Sequence, residues 1–185
     1  LTKSPMDRMP QGKIHFTLNA SPDGKMYGGT HFGYLKFSPD EPNPNPKNLD
    51  EWNRLLTDPA KGYPGGHLFV YDTKTKQARE LGLPIEYQGV RIMVLDKARQ
   101  HLYGLGALDN YLFHHDIKAG TTKIVGKVAG YNPYGMVVDE RDGTMYTSDG
   151  TGHIIAYRAG WPKIKRLPAT IPGLNDPESI ATVFI

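Results

Sequence analysis

The feature that most constrains this chain is that it repeats itself. The stretches "HFTLNASPDGKMYGG", "IMVLDKARQHLYGL" and "GMVVDERDGTMYTS" share one pattern: an apolar run, a polar turn, then an apolar residue followed by tyrosine. Each leads into a second apolar run that ends in a polar residue, "HLFVYD", "YLFHHD" and "HIIAYR", and then into a more polar run, "KQAREL", "TKIVGK" and "PKIKRL". Tyr103 and Tyr146 lie 43 residues apart, and Asp72 and Asp116 lie 44 apart. A unit of this size cannot bury its apolar faces alone, so successive units must stack on one another.

Four short strands per unit of about 43 residues is the pattern of a β-propeller blade. The expected fold is therefore all-β, a partial propeller of four-stranded blades. Composition agrees: 21 Gly and 15 Pro with 11 Tyr and six Phe suit short strands joined by tight turns and argue against a helical bundle. The interval from Tyr27 to Tyr103 is 76 residues, longer than one period by 33. The excess is a Pro- and Asn-rich insertion at 33–65, between the second and third strands of the first unit. It predicts one short helix over 49–57, with Asn48 as N-cap and Glu51 as its N3 partner. A long loop of this kind in a compact fold is expected to be functional.

These readings divide the chain into an N-terminal extension at 1–11 and blades at 12–87, 88–131 and 132–176. Residues 177–185 read as the first strand of an incomplete blade. Three blades and a fraction cannot close a ring, so the remaining blades or another chain are expected as partners. The chain opens on Leu1, as after removal of a leader or within a longer protein. A net charge of +3 without any Lys/Arg run gives no nucleic-acid stripe, and no apolar run reaches membrane-spanning length. The absence of cysteine excludes disulfides, thiolate metal sites and iron–sulfur clusters.

In such a blade the innermost strand comes first and starts at the mouth of the central channel, and the second strand returns to that mouth. His15 and His31 sit symmetrically about Asp23 in the turn, so they are expected side by side at the mouth. Carrying the repeat forward from His15 gives Arg91 and then Tyr134. His15, His31, Arg91 and Tyr134 are thus the candidate catalytic set. The opposing reading is a wet channel whose polar residues do no chemistry. His67, just after the insertion, joins His15 and His31 as a candidate metal set, with zinc, manganese or calcium as the ion. Asp109 and Asp149, in loops near the mouth, are candidates for a cation or for sugar hydroxyls. His114, His115 and Asp116 are adjacent in one strand and cannot converge on one ion from opposite faces.

The blades, through "SPDGKMYGG" and "DERDGTMYTSDG", resemble the propeller superfamily of NHL, SMP-30-like and quinoprotein-like repeats. The resemblance covers the chain from about Gly12 onward; the Trp-Asp dipeptides of WD40 repeats and any quinone-site signature are missing. The residue types at the mouth are similar to those of propeller-fold polysaccharide lyases such as the ulvan lyases. That resemblance implies recognition of an acidic polysaccharide, with cleavage by β-elimination, in an extracellular or periplasmic protein. In that chemistry Arg or protonated His neutralises a uronate carboxylate, and Tyr or neutral His takes the C5 proton. Tyr then protonates the leaving oxygen. The reading from another class is a non-catalytic propeller serving as scaffold or subunit of a larger assembly.

Overall fold

Each repeat bends at one position that demands a left-handed backbone. Gly24 closes the first turn with φ 86°, Gln100 the second with φ 60° and Gly143 the third with φ 80°. Glycine adopts this conformation at no steric cost, so two of the three repeats place it there. A second corner recurs further out. Asp72 Oδ1 accepts from the Lys74 and Thr75 amides, and Asp116 Oδ1 accepts from the Lys118 and Ala119 amides. The polar residue that ends each "HLFVYD"-type run is thus a turn-forming aspartate in the first two repeats.

In the computed structural model, residues 11–33, 47–60, 62–128, 133–149 and 153–167 are described. They form three antiparallel sheets. The first contains β1 (Gln11–Ile14), β2 (Asn19–Ala20), β3 (Lys25–Phe32), β4 (Leu68–Asp72) and β5 (Gln77–Gly82). The second contains β6 (Val90–Asp96), β7 (His101–Gly106), β8 (Tyr111–Asp116) and β9 (Thr121–Lys127), and the third β10 (Met136–Val138), β11 (Met145–Ser148), β12 (Ile154–Tyr157) and β13 (Lys165–Leu167). The second and third sheets are simple meanders in chain order. In the first, β1 and β2 both pair with β3 and together make one interrupted edge strand. Among the described residues, sheet one runs from Gln11, one residue before the expected start of the first unit. The expected strand at 177–185 lies outside the described residues.

Apolar layers join the sheets in sequence. Tyr27, Leu68 and Val70 of the first pack with Val90, Met93, Leu95, Leu102 and Phe113 of the second. Ile92, Tyr103, Leu105 and Leu112 of the second pack with Met136, Met145, Ile155 and Tyr157 of the third. Each fully buried Leu, Ile or Phe contributes roughly 1.5–3 kcal/mol. Within sheets, an aromatic ring covers a facing glycine. Gly28 opposes Phe69 and Gly104 opposes Phe113, and a Cβ on either glycine would come within 2.3 or 2.4 Å of the ring.

Polar clamps reinforce the layers. Asn19 donates from Nδ2 to the Met93 carbonyl (2.9 Å) and accepts at Oδ1 from the Leu95 amide (3.2 Å), so its side chain pairs with the inner strand of sheet two. At the turn end, Arg99 joins Asp96 to the Glu140 and Arg141 carbonyls of the third repeat.

Within the insertion, α1 spans Leu49–Leu56, and Asn48 Oδ1 accepts from the Glu51 amide at 2.9 Å. Glu51 Oε2 takes the Lys47 amide rather than that of the cap residue, so the box closes one residue early. Leu56 and Tyr63 pack on Phe32 and Ala107, which seats the helix over the end of β3 and the β7–β8 connection. Gln11 ties the start of β1 to the insertion's return: its side chain accepts from Tyr63 Oη and Thr30 Oγ1 and donates to the Gly65 carbonyl. Among the described residues no helix is long and apolar enough to cross a membrane.

Candidate functional site

The first strand of sheet one is interrupted between β1 and β2. Between β1 and β2, Phe16 leaves its own sheet and makes a parallel bridge to Ile92 of sheet two. Its amide donates to the Arg91 carbonyl at 3.1 Å, and its carbonyl accepts from the Met93 amide at 3.0 Å. This excursion shifts the pairing by two residues. His31 faces Lys13 across the ladder, not His15 as the symmetry about Asp23 predicts. A shift of two leaves a side chain on the same face of a strand. The imidazoles therefore still meet, stacked with centroids 5.3 Å apart and planes 28° apart.

Both rings are oriented by backbone carbonyls. His15 Nδ1 lies 3.0 Å from the Arg91 carbonyl oxygen, and His31 Nδ1 lies 2.6 Å from that of Phe32. A carbonyl only accepts, so each Nδ1 carries the proton and each neutral ring keeps its lone pair on Nε2. Burial lowers the pKa of His15, opposed by its bond to the Arg91 carbonyl. Burial lowers that of His31 further, to about 4. Both are neutral bases at neutral pH. Gly89 leaves room for the second ring, since a Cβ there would stand 2.8 Å from His31 Cγ and Cδ2.

Arg91 occupies the irregularity between Val90 and Ile92 in the β6–β7 ladder. Its side chain is only 9% exposed, and its Nε is buried without a hydrogen-bond partner. Burial lowers its pKa, against a hydrogen bond to the Tyr134 side chain that favours the charge. A guanidinium held this way still has donor capacity for an anion. Tyr134, 44% exposed, lies just before β10, with its ring 6.0 Å from that of Phe16. One end of the sheets thus gathers His15, His31, Arg91 and Tyr134. Phe32, whose ring is 4.1 Å from that of His31, connects them to Trp52 and Tyr63 of the insertion. Insertion residues 34–46 lie outside the described residues.

Of the residues expected to bind a metal, His67 places Nδ1 2.5 Å from Glu80 Oε1 of β5. Among the described residues no three His, Cys, Asp or Glu side chains converge on one ion position. Asp109 instead accepts from Gln88 Nε2 at 3.0 Å, with Lys127 Nζ at 4.0 Å, and Asp149 is engaged by Arg166 and His153. His114 and His115 face opposite ways. His114 stacks on Tyr103, whereas His115 Nδ1 pairs with Thr122 Oγ1.

Sequence reasoning passed over Phe16 and Gly89. The signal for Phe16 was the alternation in "HFTL", which puts a large aromatic on the face opposite the buried Thr17. Gly89 in "YQGVR" reads as an ordinary turn residue, and only the packing reveals the His31 ring against it.

No family model and no curated protein matches the chain. Among solved structures it is similar to the extracellular domain of the one-component system BT4673 from B. thetaiotaomicron, with 15% identity and a TM-score of 0.52. The match covers 89% of this chain and 18% of that one. A luciferin-regenerating enzyme aligns with 15% identity and a TM-score of 0.46, covering 82% of this chain and 45% of that one. The chain therefore spans less than half the length of either. At this identity the first likeness bears on the fold alone.

Proposed function

We propose that the three sheets are blades of a larger propeller, and that its mouth recognises an acidic polysaccharide and cleaves it by β-elimination. The observation that carries this reading is the buried Arg91, with its unpartnered Nε, beside two neutral, carbonyl-oriented imidazoles and a phenol. Arg91 would pair with the uronate carboxylate and so acidify the C5 proton. His15 Nε2, the less buried of the two bases, would accept that proton. The electron pair left on C5 forms the C4–C5 double bond as the C4–O bond breaks, and Tyr134 protonates the departing oxygen. His31 would position the His15 ring. A polymeric substrate is met outside the cytoplasm, which agrees with an extracellular or periplasmic location.

Incubating the protein with uronate polysaccharides and following ultraviolet absorbance tests the reaction, because elimination leaves a conjugated double bond. Rising absorbance that is lost in Arg91→Met is the expected result. Binding without absorbance would reduce the site to recognition, and neither binding nor absorbance would favour the scaffold.

A further inference from the structure

We propose that Phe16, with Tyr134 as its wall, is a stacking subsite for one pyranose ring of the polymer, next to the carboxylate anchor at Arg91. This rests on the reading of the mouth as a polysaccharide site and says how sugar is told from other anions. Phe16 is 56% exposed, yet its backbone is fixed on both sides, by its amide to Arg91 and its carbonyl to Met93. The ring is held between His15, whose centroid is 4.5 Å away with planes at 84°, and Tyr134, 6.0 Å away at 89°. Two perpendicular aromatic planes make a corner, in which one lies under a flat ligand and the other bounds its edge. An exposed apolar surface kept rigid beside a buried cation fits a ligand with one apolar face and one negative charge. A uronate pyranose has both: its axial C–H groups form the apolar face and its C5 carboxylate the charge. Arg91 alone would accept any carboxylate; the corner adds the requirement for a ring.

The test compares binding of polygalacturonate with that of polyglutamate, a carboxylate polymer without sugar rings, by calorimetry on the full chain. Phe16→Leu keeps an apolar side chain but removes the flat face, and Phe16→Trp restores one. Phe16→Leu should weaken polygalacturonate binding about three- to tenfold and leave polyglutamate binding unchanged, and Phe16→Trp should recover the loss. Equal losses for both polymers, or no loss for polygalacturonate, would overturn the subsite while leaving the anion site at Arg91 intact. If the unaltered protein binds neither polymer, the underlying reading falls and the subsite with it.

Discussion

Two histidine clusters, one at the end of β3 in sheet one and the other on β7 and β8 in sheet two, are built differently. In the first, His15 and His31 stack, each with one nitrogen committed to a carbonyl. At the turn end, His101 and His114 meet edge to face with centroids 4.7 Å apart, enclosed by Tyr103 and Tyr157. There, His101 Nδ1 and His114 Nε2 are buried without hydrogen-bond partners, although Asp116 Oδ2 lies 4.0 Å from the first. The ring separations are similar. What separates the two pairs is the committed proton: no partner orients His101 Nδ1 or His114 Nε2, although Lys123 sits opposite His114 across the β8–β9 ladder.

The largest expected effect lies at Arg91. Arg91→Met should cost polyuronate turnover 100-fold or more (on the order of 3 kcal/mol, as for loss of one transition-state charge partner). Thermal stability should hold or rise, because a buried charge with an unsatisfied Nε gives way to an apolar chain of similar length. A coupled loss of turnover and melting temperature would mean that Arg91 is structural, and the contrast between the ends would fail.

Gly89→Ala should have the next largest effect, since its Cβ must displace the His31 ring. A turnover loss of about tenfold is expected, with about 1–3 kcal/mol of destabilisation. Gly29→Ala is its control: that Cβ would meet Val90 Cβ at 2.7 Å, in the layer between sheets one and two. It should destabilise similarly while the remaining folded protein keeps its specific activity. Equal activity in the two variants would disconnect His31 from the chemistry.

How far the sequence could reach is visible at these same residues. The three four-stranded sheets and the helix cap at Asn48 were legible because turn chemistry and hydrophobic period are local signals. The pairing of His15 with His31 was misplaced by two residues because the strand interruption at Phe16 is stabilised by hydrogen bonds to Arg91 and Met93 of the next sheet. No local pattern encodes such a contact. The two rings meet nonetheless, because a two-residue slip preserves the face. His67 shows the opposite case. Its place near the insertion was readable, but its commitment to Glu80 depends on the β4–β5 pairing, which a repeat count does not resolve.

The pH profile should separate the ends more gently. A general base must be deprotonated, and His15 and His31 both titrate below the ordinary histidine value, His31 at about 4. Turnover should therefore persist below pH 6.5 and decline only toward the lowered values. An acid limb centred at or above 6.5 would exclude both imidazoles as the base.

The smallest effect belongs to the turn end and concerns stability. Burial lowers the His114 pKa to about 4, whereas the unfolded chain takes up that proton near 6.5. The unfolded state thus binds more protons between those values. The contribution of His114 to stability is fully present above 6.5 and is lost as pH falls toward 4. His114→Phe replaces the ring with one of similar size that lacks the unpartnered Nε2, so stability at pH 7 should rise by about 1 kcal/mol. The acid-side slope of melting temperature against pH should become shallower, and polyuronate turnover should not change. A steeper slope would show that protonated His114 is stabilised in the fold, by Asp116 or another acceptor. A fall in turnover would show that the two ends are coupled through sheet two.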